Sequence, residues 1–86
     1  MTGRRLILAD GTTFENGEAG YADGNLWCWI PHCTMQTAVN IFMNPNKTKH
    51  IVFQYGDMED VYDGFTNCTN VMVDTDGRAS VCLTKP

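Results

Sequence analysis

The sequence predicts an α+β fold: a mostly antiparallel sheet of about four to five strands, with one short helix, about residues 35–43, on one face. Three observations predict it. Short apolar or alternating stretches recur between clusters of Gly, Asn and Asp, the pattern of strands joined by turns. A single segment, Thr34 to Met43, carries apolar residues at helical spacing. A chain of 86 residues is expected to form one domain, 1–86. Its core is modest, because so short a chain removes only about 60–65% of its unfolded surface from water.

The elements follow in order. Arg5 to Ala9 reads as an apolar strand that the turn pair Asp10-Gly11 ends. Thr12 to Asn25 is a long turn-rich segment holding short edge strands around Thr13-Phe14 and Ala19 to Tyr21. Leu26 to Ile30 is a strand in which Leu26, Cys28 and Ile30 share one face and Trp27 and Trp29 the other. Pro31 stops it. Thr34 has the side chain of a helix N-cap. Met35, Ala38, Val39 and Phe42 then form one helical stripe. Pro45 disfavours helix at Asn44, so Pro45 to Thr48 is expected as a turn. His50 to Tyr55 is a strand. Met58 to Gly64 is expected as an irregular acidic turn leading into a strand around Val61-Tyr62.

The segments Phe65–Asp74 and Arg78–Thr84 read as a hairpin around Thr75-Asp76-Gly77, a three-residue loop with Gly at the left-handed position. That loop sets Asp74 opposite Arg78, Val73 opposite Ala79 and Val71 opposite Val81. The apolar face is then Val71, Val73, Val81 and Leu83. Cys68 and Cys82 fall on the other face.

Composition narrows the function. With 43% hydrophobic and 10% aromatic residues the chain is not of the disordered class. No apolar run approaches the roughly 20 residues of a membrane helix. A formal charge of −4 argues against direct nucleic-acid binding, whose affinity comes largely from phosphate contacts. The apolar stretch Leu6 to Ala9 is too short for a secretion signal, so a cytoplasmic location is expected. The glycosylation patterns at Asn46 and Asn67 carry no weight in that setting.

Four cysteines, Cys28, Cys33, Cys68 and Cys82, allow three readings: free buried thiols, a structural zinc site or two disulfides. As zinc ligands the four thiolates would suffice, with His32 as an alternative ligand, although no CxxC pair is present. Cys28 or Cys33 with His32 or His50 as base would be a nucleophile–base pair, but no local motif supports it, and no enzyme activity is expected. Asp74 to Gly77 begins like a calcium loop. Position 12 from Asp74 is Lys85 rather than Glu, so the segment reads as a turn.

The acidic segment is the candidate interface. Asp57, Glu59, Asp60 and Asp63 place four carboxylates in seven residues, with Tyr55, Met58 and Tyr62 interleaved. Such a segment is either a solvated acidic loop or a face for a basic partner, its charge steering association and its tyrosines supplying contact area. Lys47 and Lys49 read as solvated charges. Trp27 and Trp29 read either as core packing beneath the helix or long loop, or as an apolar binding patch.

Several stretches also resemble small prophage-encoded proteins of gut Firmicutes: Leu6 to Gly11, Leu26 to Cys28, Thr34-Met35 with Ala38 and Phe42, Pro45 with Lys47-Thr48, Ile51 to Met58, Asp60 to Thr66 and Gly77 to Leu83. The resemblance spans nearly the whole chain. Its size and charge are similar to those of anti-CRISPR proteins. It implies a phage-encoded, non-enzymatic inhibitor of a host defence nuclease, blocking the nucleic-acid surface of a type II CRISPR effector. The partner-binding residues would be Asp57, Glu59, Asp60, Asp63, Tyr55 and Tyr62. The alternative is a minor phage structural or assembly protein, with or without structural zinc.

Overall fold

Eight strands and two short helices make up the computed structural model, which describes residues 3–86. In chain order they are β1 Arg4–Ile7, β2 Thr13–Glu15, β3 Glu18–Ala22, β4 Asn25–Ile30, α1 Met35–Phe42, α2 Pro45–Thr48, β5 His50–Tyr55, β6 Met58–Asp63, β7 Asn67–Val73 and β8 Ala79–Thr84. Strand accounts for 51% of the described residues and helix for 14%, the expected α+β class with sheet dominant. The strands form two antiparallel four-stranded sheets, β2-β1-β5-β6 and β3-β4-β8-β7. More strands form than the four to five expected, because the turn-rich segment 12–25 and the acidic segment both pair.

The turns explain that pairing. Asp23 (φ 51°) and Gly24 (φ 82°) both take positive φ, the two-residue connection whose twist matches the strands it joins. β3 and β4 therefore pair tightly from Ala22↔Asn25 to Glu18↔Trp29. Gly56 (φ 58°) does the same for β5 and β6, which pair without interruption from Tyr55↔Met58 to His50↔Asp63. The irregular turn expected at Met58 is instead the first pair of this ladder. At the far end of the chain the expected hairpin forms with Val73↔Ala79 and Val71↔Val81. Asp74 Oδ1 accepts from the backbone N–H groups of Asp76 (2.9 Å) and Arg78 (3.0 Å), holding the loop closed.

One bulge changes a face. The β7–β8 ladder pairs Cys68 with Leu83 but Asn70 with Cys82, leaving Thr69 as the extra residue. Cys68 therefore turns to the core side, against the expected placement beside Cys82, and packs against the buried cluster. Cys82 stays on the outer face.

The two sheets share one core. Leu6 and Ile51 from the first sheet meet Leu26, Cys28, Ile30, Val81 and Leu83 from the second, all of them buried. The strand β1 ends at Ile7 rather than Ala9, because Gly11 N–H returns to Leu8 O and Ala9 N–H donates to Lys47 O. In α1, Thr34 is the N-cap and its hydroxyl accepts from Thr37 N–H at 3.2 Å. Ala38 and Phe42 are its buried centre, and Phe42 stacks on Phe14 of β2 with centroids 5.9 Å apart. Met35, at the start of the expected stripe, is exposed. Pro45 to Thr48 is a helical turn rather than a simple turn. Proline at the first helical position lacks only an N–H that would be unpaired anyway, and Asn44 caps Asn46 N–H at 3.0 Å.

Candidate functional site: the acidic edge hairpin

The alternation of β6 sorts the acidic residues onto two faces. Glu59, Val61 and Asp63 point away from the core, opposite Gln54, Val52 and His50 of β5. Met58, Asp60 and Tyr62 point to the inner side, opposite Tyr55, Phe53 and Ile51. Asp57 sits in the turn. The six expected interface residues thus lie on one hairpin, and β6 is an edge strand of its sheet.

Each face has its own bonding. Gln54 Nε2 donates to Glu59 Oε2 at 3.2 Å, and His50 Nδ1 lies 2.5 Å from Asp63 Oδ1. On the inner side burial pushes the Tyr55 hydroxyl pKa up, helped by its hydrogen bond to Asp60. Burial also raises that of Tyr62, with the Asp60 charge adding to it. Tyr55 and Tyr62 are therefore neutral phenols at physiological pH.

Three of the basic residues are engaged elsewhere. Arg4 pairs with Glu18, Arg5 with Glu15 at 3.0 Å and Lys47 with Asp10. The Lys47 contact holds the Asp10 carboxyl well below the usual carboxylate range. Among the described residues, Asp57, Glu59 and Asp60 form no ion pair with Lys or Arg. Asp57, Glu59 and Asp60 thus place three unpaired carboxylates within four residues.

Two features of this site go beyond the sequence reading. Val61 (49% exposed) joins the interleaved Met58 (60%) in putting apolar surface between the acids. Beside β6 lies an open groove of about 370 Å³, lined by Tyr21, Val61, Tyr62, Asp63, Phe65 and Lys85. Tyr21 and Tyr62 both meet Phe65 edge to face, and Lys85 Nζ lies 5.4 Å from the Phe65 ring centroid. An aromatic wall with a carboxylate at its rim suits a cationic side chain, and Lys85 of the chain itself already lies against it.

The cysteines are free thiols. Cys28 is fully buried on the core face, and burial pushes its pKa up to about 12, with smaller contributions from Cys68 and Cys82. Cys33 Sγ donates to Thr34 O at 3.6 Å and Cys82 Sγ to Asn25 Oδ1 at 3.7 Å. Burial raises the Cys33 and Cys68 thiols as well. His32 is exposed with φ 52°, and no cysteine hydrogen-bonds to a histidine among the described residues. No group of three or more His, Cys, Asp or Glu among them is arranged to hold a metal ion. The Asp74–Gly77 segment is the hairpin loop.

Trp27 and Trp29 lie on the outer face of the second sheet, with α1 on the opposite, core side. Among the described residues no helix is long and apolar enough to cross a membrane. Compared with protein-family models, curated proteins and solved structures, the chain matches none.

Proposed function

We propose that the protein is a non-enzymatic binding domain whose β5–β6 hairpin docks on a basic, nucleic-acid-binding surface of another protein. One observation carries the reading: among the described residues Asp57, Glu59 and Asp60 have no cationic partner, while Arg4, Arg5 and Lys47 are paired with other acids. An uncompensated acidic edge attracts a positive surface at long range. Exposed Met58 and Val61, with the aromatic groove beside them, supply the desolvated contact that charge alone lacks. An unpaired strand edge carrying acids repels a second copy of itself and favours a basic partner.

The resemblance to prophage-encoded proteins makes the nucleic-acid channel of a type II CRISPR nuclease the first partner to test. The protein would occupy that channel stoichiometrically and exclude guide or target, as an anti-CRISPR protein acting in the bacterial cytoplasm. The test is a cleavage assay with increasing protein. Inhibition should saturate near one protein per nuclease. It should disappear when Asp57, Glu59, Asp60 and Asp63 are all changed to Lys, with circular dichroism unchanged. Inhibition by the folded quadruple variant would place the interface elsewhere.

A further inference from the structure

The outer face of the β3-β4-β8-β7 sheet is the part of the molecule that the proposed hairpin interface does not use. Its centre is Trp27 and Trp29, two residues apart on β4 and therefore about 6.7 Å apart along the strand. Their cross-strand neighbours are mostly small. Trp27 lies between Gly20 and Cys82, and Trp29 between Glu18 and Ser80. A Cβ placed on Gly20 would lie 3.4 Å from Trp29 Cζ3 and 3.5 Å from Cη2. The Trp29 indole therefore reaches across β3 and lies along the sheet rather than standing up from it. Both tryptophans are half-buried.

Neutral groups surround the indoles. Asn25, Asn67, Asn70, Ser80 and Thr84 share this face, supplying amides and hydroxyls that both donate and accept, together with the exposed Met72 opposite Ser80. The charged groups are at its margin: Glu18, already paired with Arg4, and Arg78, 5.8 Å from the Trp29 ring centroid. The face is thus close to neutral on a chain of net charge −4.

We infer that this face is a binding platform for a neutral oligosaccharide or polysaccharide chain, whose pyranose C–H faces stack on Trp27 and Trp29 while its hydroxyls bond the surrounding amides and hydroxyls. Polarised C–H groups are attracted to the negative face of an indole. The hydroxyls of a sugar, each both donor and acceptor, match Asn, Ser and Thr better than any charged ligand does. A nucleic-acid strand could also stack, but it requires a cationic track, and among the described residues Arg78 is the one unpaired cation at the margin. A second protein copy is disfavoured by size. Four strands of about six residues present a flat footprint of about 400 Å², half of the roughly 800 Å² per partner of a standard protein interface.

The test uses soluble neutral polysaccharides as probes: xyloglucan, mixed-linkage β-glucan, galactomannan and dextran. Binding is read by retardation in affinity gels and by tryptophan emission. At least one probe should retard the protein and shield its tryptophans from acrylamide quenching, a readout that needs no substitution. Trp27→Ala and Trp29→Ala should each weaken binding about tenfold, while Trp29→Tyr keeps most of it by preserving an aromatic plane. Binding should persist at high salt and in the variant with Asp57, Glu59, Asp60 and Asp63 changed to Lys, which separates it from the hairpin interface. Absence of retardation and shielding with all four probes would overturn the inference. So would undiminished binding by a folded Trp27→Ala/Trp29→Ala variant, or self-association through this face that the same substitutions abolish.

Discussion

Cys28 should make the fold sensitive to alkali, and the size of the effect follows from its position. It sits on β4 between Ala19 of β3 and Val81 of β8, fully buried. Burial pushes its thiol from 9.0 up to about 12. An acid whose folded pKa is raised is held in its neutral form by the fold. Below about pH 9 both states keep the proton and the native state has its full stability. Between about pH 9 and 12 the unfolded chain releases the proton and the folded chain does not, so stability falls as pH rises. A shift of this size corresponds to about 4 kcal/mol, a large share of the roughly 5–15 kcal/mol that holds a small domain together. The assay is denaturant unfolding followed by tryptophan emission at a series of pH values, for wild type and Cys28→Ala. The variant loses about 1 kcal/mol near neutrality through the small cavity it creates. Its stability should then fall less steeply above pH 9, so that the two curves converge or cross. Tyr55 and Tyr62, also raised by burial, act equally on both proteins. Parallel curves would refute the reasoning.

Three further outcomes follow. Phe42→Ala removes the largest fully buried side chain and its stack on Phe14, and should cost about 3–5 kcal/mol in denaturant unfolding; a loss below 1 kcal/mol would show that α1 is not part of the core. Thr48 is buried with its hydroxyl lacking a partner among the described residues, so the isosteric Thr48→Val should raise stability by about 1 kcal/mol, and a lower melting temperature would contradict this. Asp74→Ala removes two backbone hydrogen bonds from the β7–β8 loop and should cost about 1–2 kcal/mol, with faster amide exchange at Asp76 and Arg78; unchanged exchange there would argue against the loop contacts.

What could be read in the sequence was set by local chemistry. The β7–β8 register followed from Asp76-Gly77, because a three-residue loop with glycine at the left-handed position fixes every pair beyond it. The α1 start followed from Thr34, whose hydroxyl bonds locally. The bulge at Thr69 has no such local signal, and the face of Cys68 was misplaced in consequence. Asp23-Gly24 was a hairpin signal hidden among other glycines. β4 was legible as a strand, yet which face turned inward was not, since Leu26, Cys28 and Ile30 are as apolar as the two tryptophans. Partner strands decide that question, for the sheet leaves Gly20, Ser80 and Cys82 beside the indoles. The acids of the candidate site were found by composition. Their division between the two faces of β6, and the groove formed with Tyr21 and Phe65, depend on tertiary pairing.

Affinity capture tests the central claim most directly. Tagged protein is incubated with lysate of a CRISPR-bearing host, eluted with rising salt and the eluates identified by mass spectrometry. The account predicts a basic, nucleic-acid-binding nuclease that leaves at moderate salt and is not captured when Asp57, Glu59, Asp60 and Asp63 are changed to Lys. Recovery of phage structural proteins, of the bait alone as a multimer, or of a partner indifferent to both salt and charge reversal would contradict it.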